Sequence, residues 1–169
     1  GQAVTVQLSK GDLVDPLKAL EMGQEGDVIV VDAGGDLNTS VCGGLMGGLA
    51  QNRGIRGMIV DGAGRDTDEL EEINWPIWTR AITPRGTHTM FSERREELSI
   101  NVPIACGGVV VNPGDFIVAD LMGVVVVPLE SAEEVVRLAQ EQADREVATR
   151  AWVAQGKTVE DLLNEFGRI

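Results

Sequence analysis

Histidine is nearly absent from this 169-residue chain, His88 being the only one, and cysteine is limited to Cys42 and Cys106. No CxxC spacing joins the two thiols and no second metal-type residue flanks either, so neither a zinc site nor a disulfide framework is indicated. The chain reads as a cytoplasmic protein with reduced thiols. Basic residues are scarce as well: 14 Lys and Arg stand against 27 Asp and Glu, a formal net charge of −13. Nucleic acid and anionic membrane surfaces need clustered cations, so neither is expected as a partner. An anionic small molecule stays within reach wherever one Arg and a helix start are focused on the same point. No apolar run approaches the ~18 residues of a membrane span, and no signal peptide opens the chain. Gly1 to Gln7 leads straight into an alternating strand, so the sequence is expected to begin inside a domain.

What is present suits one globular α/β domain, with 43% hydrophobic residues over a length that can bury a real core. Ala3 to Leu8 alternates as a strand, and Pro16 to Met22 has helical spacing with Asp12 or Asp15 as a cap. Val28 to Asp32 is a continuous apolar run of the kind covered on both faces. Ala33 to Asp36 reads as a loop, Thr39 or Ser40 as the next cap, and Leu45 to Arg53 as a helix stopped by Gly54. Met58 to Val60 is a second buried strand, Asp66 to Ile73 a helix ended by Asn74 and Pro76, and Ile77 to Ile82 a third strand. Thr83 to Ser99, with Glu93-Arg94-Arg95-Glu96-Glu97, reads as a polar surface loop or short helix.

The second half repeats an element of the first. Gly26 to Asp32 and Gly114 to Asp120 share a turn, an apolar strand and a closing Asp, 88 residues apart. This predicts two related sheet layers. Val109 to Val111, Phe116 to Asp120 and Val124 to Val127 lie too close together for anything but antiparallel hairpins. From Ser131, with Glu133 and Glu134 completing a capping-box-like start, the chain is expected to be helical to Ala154. A last helix, Val159 to Phe166, is capped by Thr158 and offers Leu162, Leu163 and Phe166 to a partner or neighbouring subunit. The expected division is a domain over residues 1–154 and a helical extension over 155–169.

The stretch from Gly43 to Glu69 concentrates the chemistry. A nine-residue helix spans roughly 14 Å and five strand residues roughly 17 Å. If the two run antiparallel, the glycine-rich helix start and Arg65-Asp66 finish side by side. The glycines Gly43 to Gly48 either cradle an anion with free backbone N–H groups or permit close helix packing. Arg65-Asp66 either pairs a cation with a metal-binding carboxylate or forms a local ion pair. Asp32 and Asp120 suit turns, and His88 sits in the polar loop. Val30 to Gly35 looks like a methyltransferase nucleotide loop but lacks the GxGxxG spacing.

Gly44, twenty residues, Arg65-Asp66, two residues and Glu69 fit the pattern G-x20-R-D-x2-E/D. On that pattern, and on Gly26 to Val30, Arg53 to Gly62, Asn112 to Asp115, Asp120 and Gly123 to Pro128, the chain resembles the family of 4-hydroxy-4-methyl-2-oxoglutarate aldolase and the RraA-like regulators of ribonuclease E. The resemblance implies a swivelling β/β/α domain with layered mixed sheets, hairpins in the second half and C-terminal helices. It also implies homotrimers or hexamers with sites between subunits, and an N-terminal helical region that this chain is expected to lack. In the aldolases magnesium or manganese holds a pyruvyl group while a C–C bond breaks to give pyruvate enolate.

Carried onto this chain, the resemblance gives Asp66 as metal ligand, Glu69 as holder of metal waters and Arg65 as the group facing the enolate oxygen. The backbone of Gly43, Gly44, Leu45 and Met46 would bind the substrate carboxylate. The implied activity is cleavage of 4-hydroxy-2-oxo dicarboxylates to pyruvate, with oxaloacetate decarboxylation as a side activity. The alternative is a non-catalytic member that binds and inhibits ribonuclease E. Where the aldolases often carry Trp-Gly or Phe-Gly before the helix and Glu soon after it, this chain has Cys42-Gly43 and Gly47-Gly48.

Overall fold

The computed structural model describes residues 1–9, 12–87 and 97–167. The chain divides into two compact units, Gly1–Leu129 and Glu130–Ile169. The first is built on a four-stranded parallel sheet in the order β1 (Ala3–Gln7), β2 (Val28–Cys42), β3 (Gly57–Gly64) and β4 (Ile77–Ile82). Each parallel step is bridged by one helix: α1 (Val14–Met22), α2 (Gly44–Asn52) and α3 (Thr67–Glu72). Successive crossovers of one hand that advance in one direction put every helix on the same face of a sheet. The alternation in β2 follows: Ile29 and Val31 pack with Ala19, Leu20, Met46, Ala50 and Leu70 of the helices.

Val28 and Val30 of β2 face the other way, onto Ile104, Val111 and Ile117. Those residues belong to two antiparallel hairpins, β5 (Ile104–Cys106) with β6 (Val109–Val111), and β7 (Phe116–Asp120) with β8 (Gly123–Val127). The result is three layers, hairpins on sheet on helices, and it explains why the parallel strands are continuously apolar. The α/β class, the later hairpins and the C-terminal helices are those expected from sequence.

Four local expectations are corrected. Ala33 to Asp36 is strand rather than loop: β2 runs through it, slipping register against β3 between Asp32 and Asp36, between Asp36 and Ser40, and between Ser40 and Cys42. Gly34 and Gly35, at φ of 60° and 69°, let the strand bulge without ending. Thr39 and Ser40 therefore lie inside a strand and cap nothing. Secondly, β6 pairs back onto β5, not forward onto β7, because Gly107 and Gly108 both hold positive φ, the requirement of a tight two-residue turn. The start of β7 is bonded instead to β1, with Ala3 N–H donating to Asp115 O at 2.8 Å and Ile117 N–H to Gly1 O at 2.8 Å.

Thirdly, Ser131 makes no capping bond at the start of α4 (Ala132–Ala154), because its ψ of 0° is helical where a cap needs extended backbone. The capping box forms at α5 (Val159–Phe166), between Thr158 and Asp161. Lastly, two of the three α5 residues expected to face a partner are used inside the helical unit. Leu162 is buried, and Phe166 meets the Trp152 ring edge-on at 5.4 Å, while Leu163 is exposed, as is Val159. Among the described residues no helix is long and apolar enough to cross a membrane.

The internal repeat has a structural counterpart in its turns. Asp27 N–H donates to Gln24 O and the Asp27 carboxylate takes Gln24 N–H; Asp115 makes the same two bonds with Asn112. Gly26 and Gly114 share the positive φ that the turn needs. The closing aspartates match too, Asp32 accepting from Gly34 N–H and Asp120 from Met122 N–H. Asp120 closes the β7–β8 turn, whereas Asp32 braces the bulge inside β2.

Candidate active site

Strand β3 and helix α2 bring the two ends of the glycine-to-glutamate stretch together. Cys42 and Gly64 are register partners across β2 and β3, and Arg65 N–H donates to Cys42 O at 2.8 Å. Arg65 and Asp66 thus emerge beside Gly43 and Gly44, where α2 begins. Their closeness shows in what a Cβ would meet. On Gly43 it would overlap the Asp66 carboxylate and come within 2.8 Å of Arg65 Nε; on Gly44 it would overlap the Glu69 carboxylate. Gly47 has a different task, since a Cβ there would strike Leu70 and approach Trp75 Cε3 at 3.1 Å, so it lets α2 lie against α3. Gly48 meets nothing. The two readings of the glycine run therefore divide along it, with site clearance at its start and helix packing further on.

Asp66 is the hinge of the site. It holds φ 52° and ψ 43°, a left-handed conformation that costs a non-glycine residue about 1 kcal/mol or more. From there its Oδ2 accepts from Gly44 N–H at 3.1 Å and forms an ion pair with Arg65, whose Nε lies 3.2 Å away. The Gly44 amide is therefore engaged by protein, and Gly47 N–H bonds to Gly43 O. The amides of Leu45 and Met46 are the ones at this helix start with no partner among the described residues.

Arg65 spends its Nε on Asp66, and its terminal nitrogens have no protein partner among the described residues. Room for them is made by Gly86, where a Cβ would stand 2.5 Å from Nη1. Nothing in the sequence singled out Gly86; only the fold brings the Pro84-Arg85-Gly86 segment across, with Ser40 N–H donating to Arg85 O at 2.8 Å. Beneath the pair, burial pushes the Cys42 thiol up to about 12, with Asp66 adding to the rise and Arg65 opposing it. Cys42 stays a thiol at neutral pH and donates weakly to Gly43 O. His88 lies outside the described residues, as does most of the charged run from Glu93 to Glu97.

A cleft of about 290 Å³ opens beside Arg65, bounded by Gly43, Leu45 and Met46. Among the described residues no three His, Cys, Asp or Glu side chains gather as a metal cage. What the site offers is two carboxylates, Asp66 and Glu69, with Glu69 filling the space above Gly44. Hard oxygen donors in this number suit a magnesium-type ion that keeps most of its waters, and a buried neutral thiol offers nothing to a softer metal.

A family model described as RraA-like, Aldolase/RraA, matches residues 1–126. The chain belongs to the RraA-like family. Within it, a Halalkalibacterium halodurans protein provisionally named 4-hydroxy-4-methyl-2-oxoglutarate aldolase is 43% identical over 152 residues, 89% of this chain and 70% of that protein. A solved structure of an uncharacterized Pseudomonas syringae protein superposes with a TM-score of 0.81 at 30% identity, covering 96% of this chain and 76% of the other. Streptomyces coelicolor RraAS2, described as an unusual member of the RNase ES inhibitor RraA family, superposes at 0.77 with 34% identity, over 89% of this chain and 76% of its own. The RraA-like part covers the α/β unit nearly to its end and stops short of α4 and α5.

Proposed function

We propose that this RraA-like protein is a divalent-metal-dependent pyruvate aldolase. It cleaves 4-hydroxy-2-oxo acids, with 4-hydroxy-4-methyl-2-oxoglutarate, the compound in its relative's name, as the reference substrate and oxaloacetate decarboxylation as a side activity. The observation that carries this is the convergence at the start of α2 of Arg65, whose terminal nitrogens, like the Leu45 and Met46 amides, have no partner among the described residues, with the Asp66 and Glu69 carboxylates that lie against Gly43 and Gly44. Magnesium or manganese would be held by Asp66 directly and by Glu69 through water, and would supply positive charge against the charge that develops on the substrate.

The chain's own groups do the rest. The Leu45 and Met46 amides, at the positive end of α2, hold the substrate carboxylate. The planar Arg65 guanidinium turns its terminal donors to where the enolate oxygen would form as the C3–C4 bond breaks. Asp66 holds Arg65 by Nε, which fixes the direction of the fork. By this reading the Gly43 and Gly44 positions keep the helix start close enough to serve both.

The same reading places the site between subunits of a homotrimer or hexamer, supported by the exposure of Leu45 and Leu49 beside Arg65. Mass by light scattering checks it, and a monomer at micromolar concentration would count against it. The competing reading, a non-catalytic inhibitor of ribonuclease E, draws on the description of the Streptomyces relative. Pyruvate release from 4-hydroxy-4-methyl-2-oxoglutarate or oxaloacetate with magnesium, abolished by EDTA, separates the two. Absence of metal-dependent release from both leaves the inhibitor reading standing.

A further inference from the structure

A cavity of about 320 Å³ lies in the α/β unit on the face of the sheet turned away from α1, α2 and α3. Val30 and Ile59 of the parallel sheet line one side of it, and Val111, Ile117 and Val126 of the hairpins the other. The Trp78 indole is held in its lining, because Nε1 donates to Asp120 O at 2.8 Å. Burial, then Asp61 and Asp32, pushes the Cys106 thiol up to about 11, so at neutral pH that lining group is uncharged too. The chain on either side of residues 88–96 is tied down elsewhere, Arg85 O to Ser40 N–H and Ser99 N–H to the Asp15 carboxylate, and none of those residues lines the cavity.

The polar end is made by Asp61 and Arg80. Asp61 is answered twice, by Arg80 Nε and by Gly107 N–H at 2.8 Å, and Asp32 by Gly34 N–H at 2.9 Å. Arg80 is used only through Nε; half its side chain is exposed, and its terminal nitrogens have no partner among the described residues. What meets an incoming molecule is therefore a pair of charged donors beside hydrocarbon. A guanidinium can serve two carboxylates at once, as Arg137 does with Glu134 and Glu141. The volume is of the size that takes small molecules, and apolar walls with a few convergent polar groups are their usual setting.

We infer that this cavity binds an apolar monocarboxylate, with its tail between the sheet and the hairpins and its carboxylate on the Arg80 terminal nitrogens. The inference stands apart from the aldolase reading, since it uses none of the residues around Arg65.

The test is isothermal titration calorimetry of the full chain with octanoate, hexanoate, octan-1-ol and octylamine, with Trp78 emission followed alongside. The expected result is one saturable octanoate site per chain that shifts the Trp78 emission. Octan-1-ol should bind roughly tenfold more weakly for want of a charged acceptor, and octylamine more weakly still. Hexanoate should lose roughly tenfold for its two missing methylenes. Arg80→Gln is expected to bring octanoate down to the level of octan-1-ol. Val109→Trp, at an exposed lining position, should fill the cavity and remove binding, while Arg65→Ala leaves binding unchanged. No saturable binding at millimolar octanoate overturns the inference, as does binding that survives both Arg80→Gln and Val109→Trp. Loss of binding in Arg65→Ala overturns it by moving the ligand to the other cleft. Unchanged octanoate binding in Val109→Trp, with a fall in particle mass, overturns it by making this surface a contact between copies of the chain.

Discussion

The Glu69 carboxylate lies over Gly44, in the space that a Cβ at residue 44 would fill. The two positions therefore share one volume, and a side chain at residue 44 must displace Glu69. Gly44→Ala is expected to weaken Mn2+ binding by roughly tenfold or more, the range for losing an outer-sphere carboxylate. Its melting temperature should hold, since Gly44 has no left-handed backbone to lose. Gly44→Asp combined with Glu69→Ala puts a carboxylate back into the vacated space and is expected to recover binding. Titration of Mn2+ followed by EPR reads both.

Asp66 combines a strained backbone with two bonds, and conservative substitutions separate these. Asn tolerates the left-handed region and keeps an oxygen for Gly44 N–H, so Asp66→Asn should fold normally and lose metal-dependent turnover. Asp66→Ala loses the bond and keeps the strain, costing about 1 kcal/mol of stability for the hydrogen bond. Urea unfolding with a pyruvate assay distinguishes the two. Equal turnover in wild type and the Asn variant would remove Asp66 from the mechanism.

Asp61, midway along β3, is buried and accepts from Arg80 Nε and from Gly107 N–H, the latter at 2.8 Å. Asp61→Ala strips the β5–β6 turn of its anchor and is expected to cost about 1 kcal/mol, the net value of a hydrogen bond whose donor water can reach. By contrast Arg137 bridges Glu134 and Glu141 on the open surface of α4. Arg137→Ala should leave the unfolding midpoint where it was, because exposed ion pairs contribute little.

Alkaline stability should carry the signature of Cys42. Its thiol is raised by burial from an ordinary 9.0 to about 12, so the unfolded chain gives up this proton before the folded chain does. The contribution is whole below pH 9.0 and is lost as pH climbs to about 12. Cys42→Ala is expected to flatten that part of the stability curve while lowering it overall through lost packing. Iodoacetamide at neutral pH should leave Cys42 unmodified in the folded protein, because the reactive thiolate is scarce and shielded.

Much of this was legible in the residues. Matching lengths of α2 and β3, with a glycine-rich start and Arg65-Asp66 at the finish, were enough to expect the two ends to meet, because helix rise and strand rise are fixed quantities. The turn at Asp115 could be read from the turn at Asp27 for the same reason: Gly followed by Asp does one local job. What escaped were features decided at a distance. Gly34-Gly35 looks like a loop until β3 is present to hold β2 extended on either side of a bulge. The strand Ile104–Cys106 is too short to announce itself, and Gly86 matters only because the chain after β4 crosses back to Ser40. The engagement of the Gly44 amide by Asp66 also could not be read from spacing, since it depends on one residue adopting a left-handed turn.

The bond from Gly44 to Asp66 makes the first turn of α2 a built-in indicator. That carboxylate oxygen accepts from the amide and, in the proposed metal site, would also be the first hold for an arriving cation. A cation that draws it away leaves the Gly44 N–H open to solvent, and deuterium uptake at that single amide would then speed up on loading, before any substrate is added. A helix end more than twenty residues upstream in sequence would thus report, in real time, the state of the carboxylate it faces.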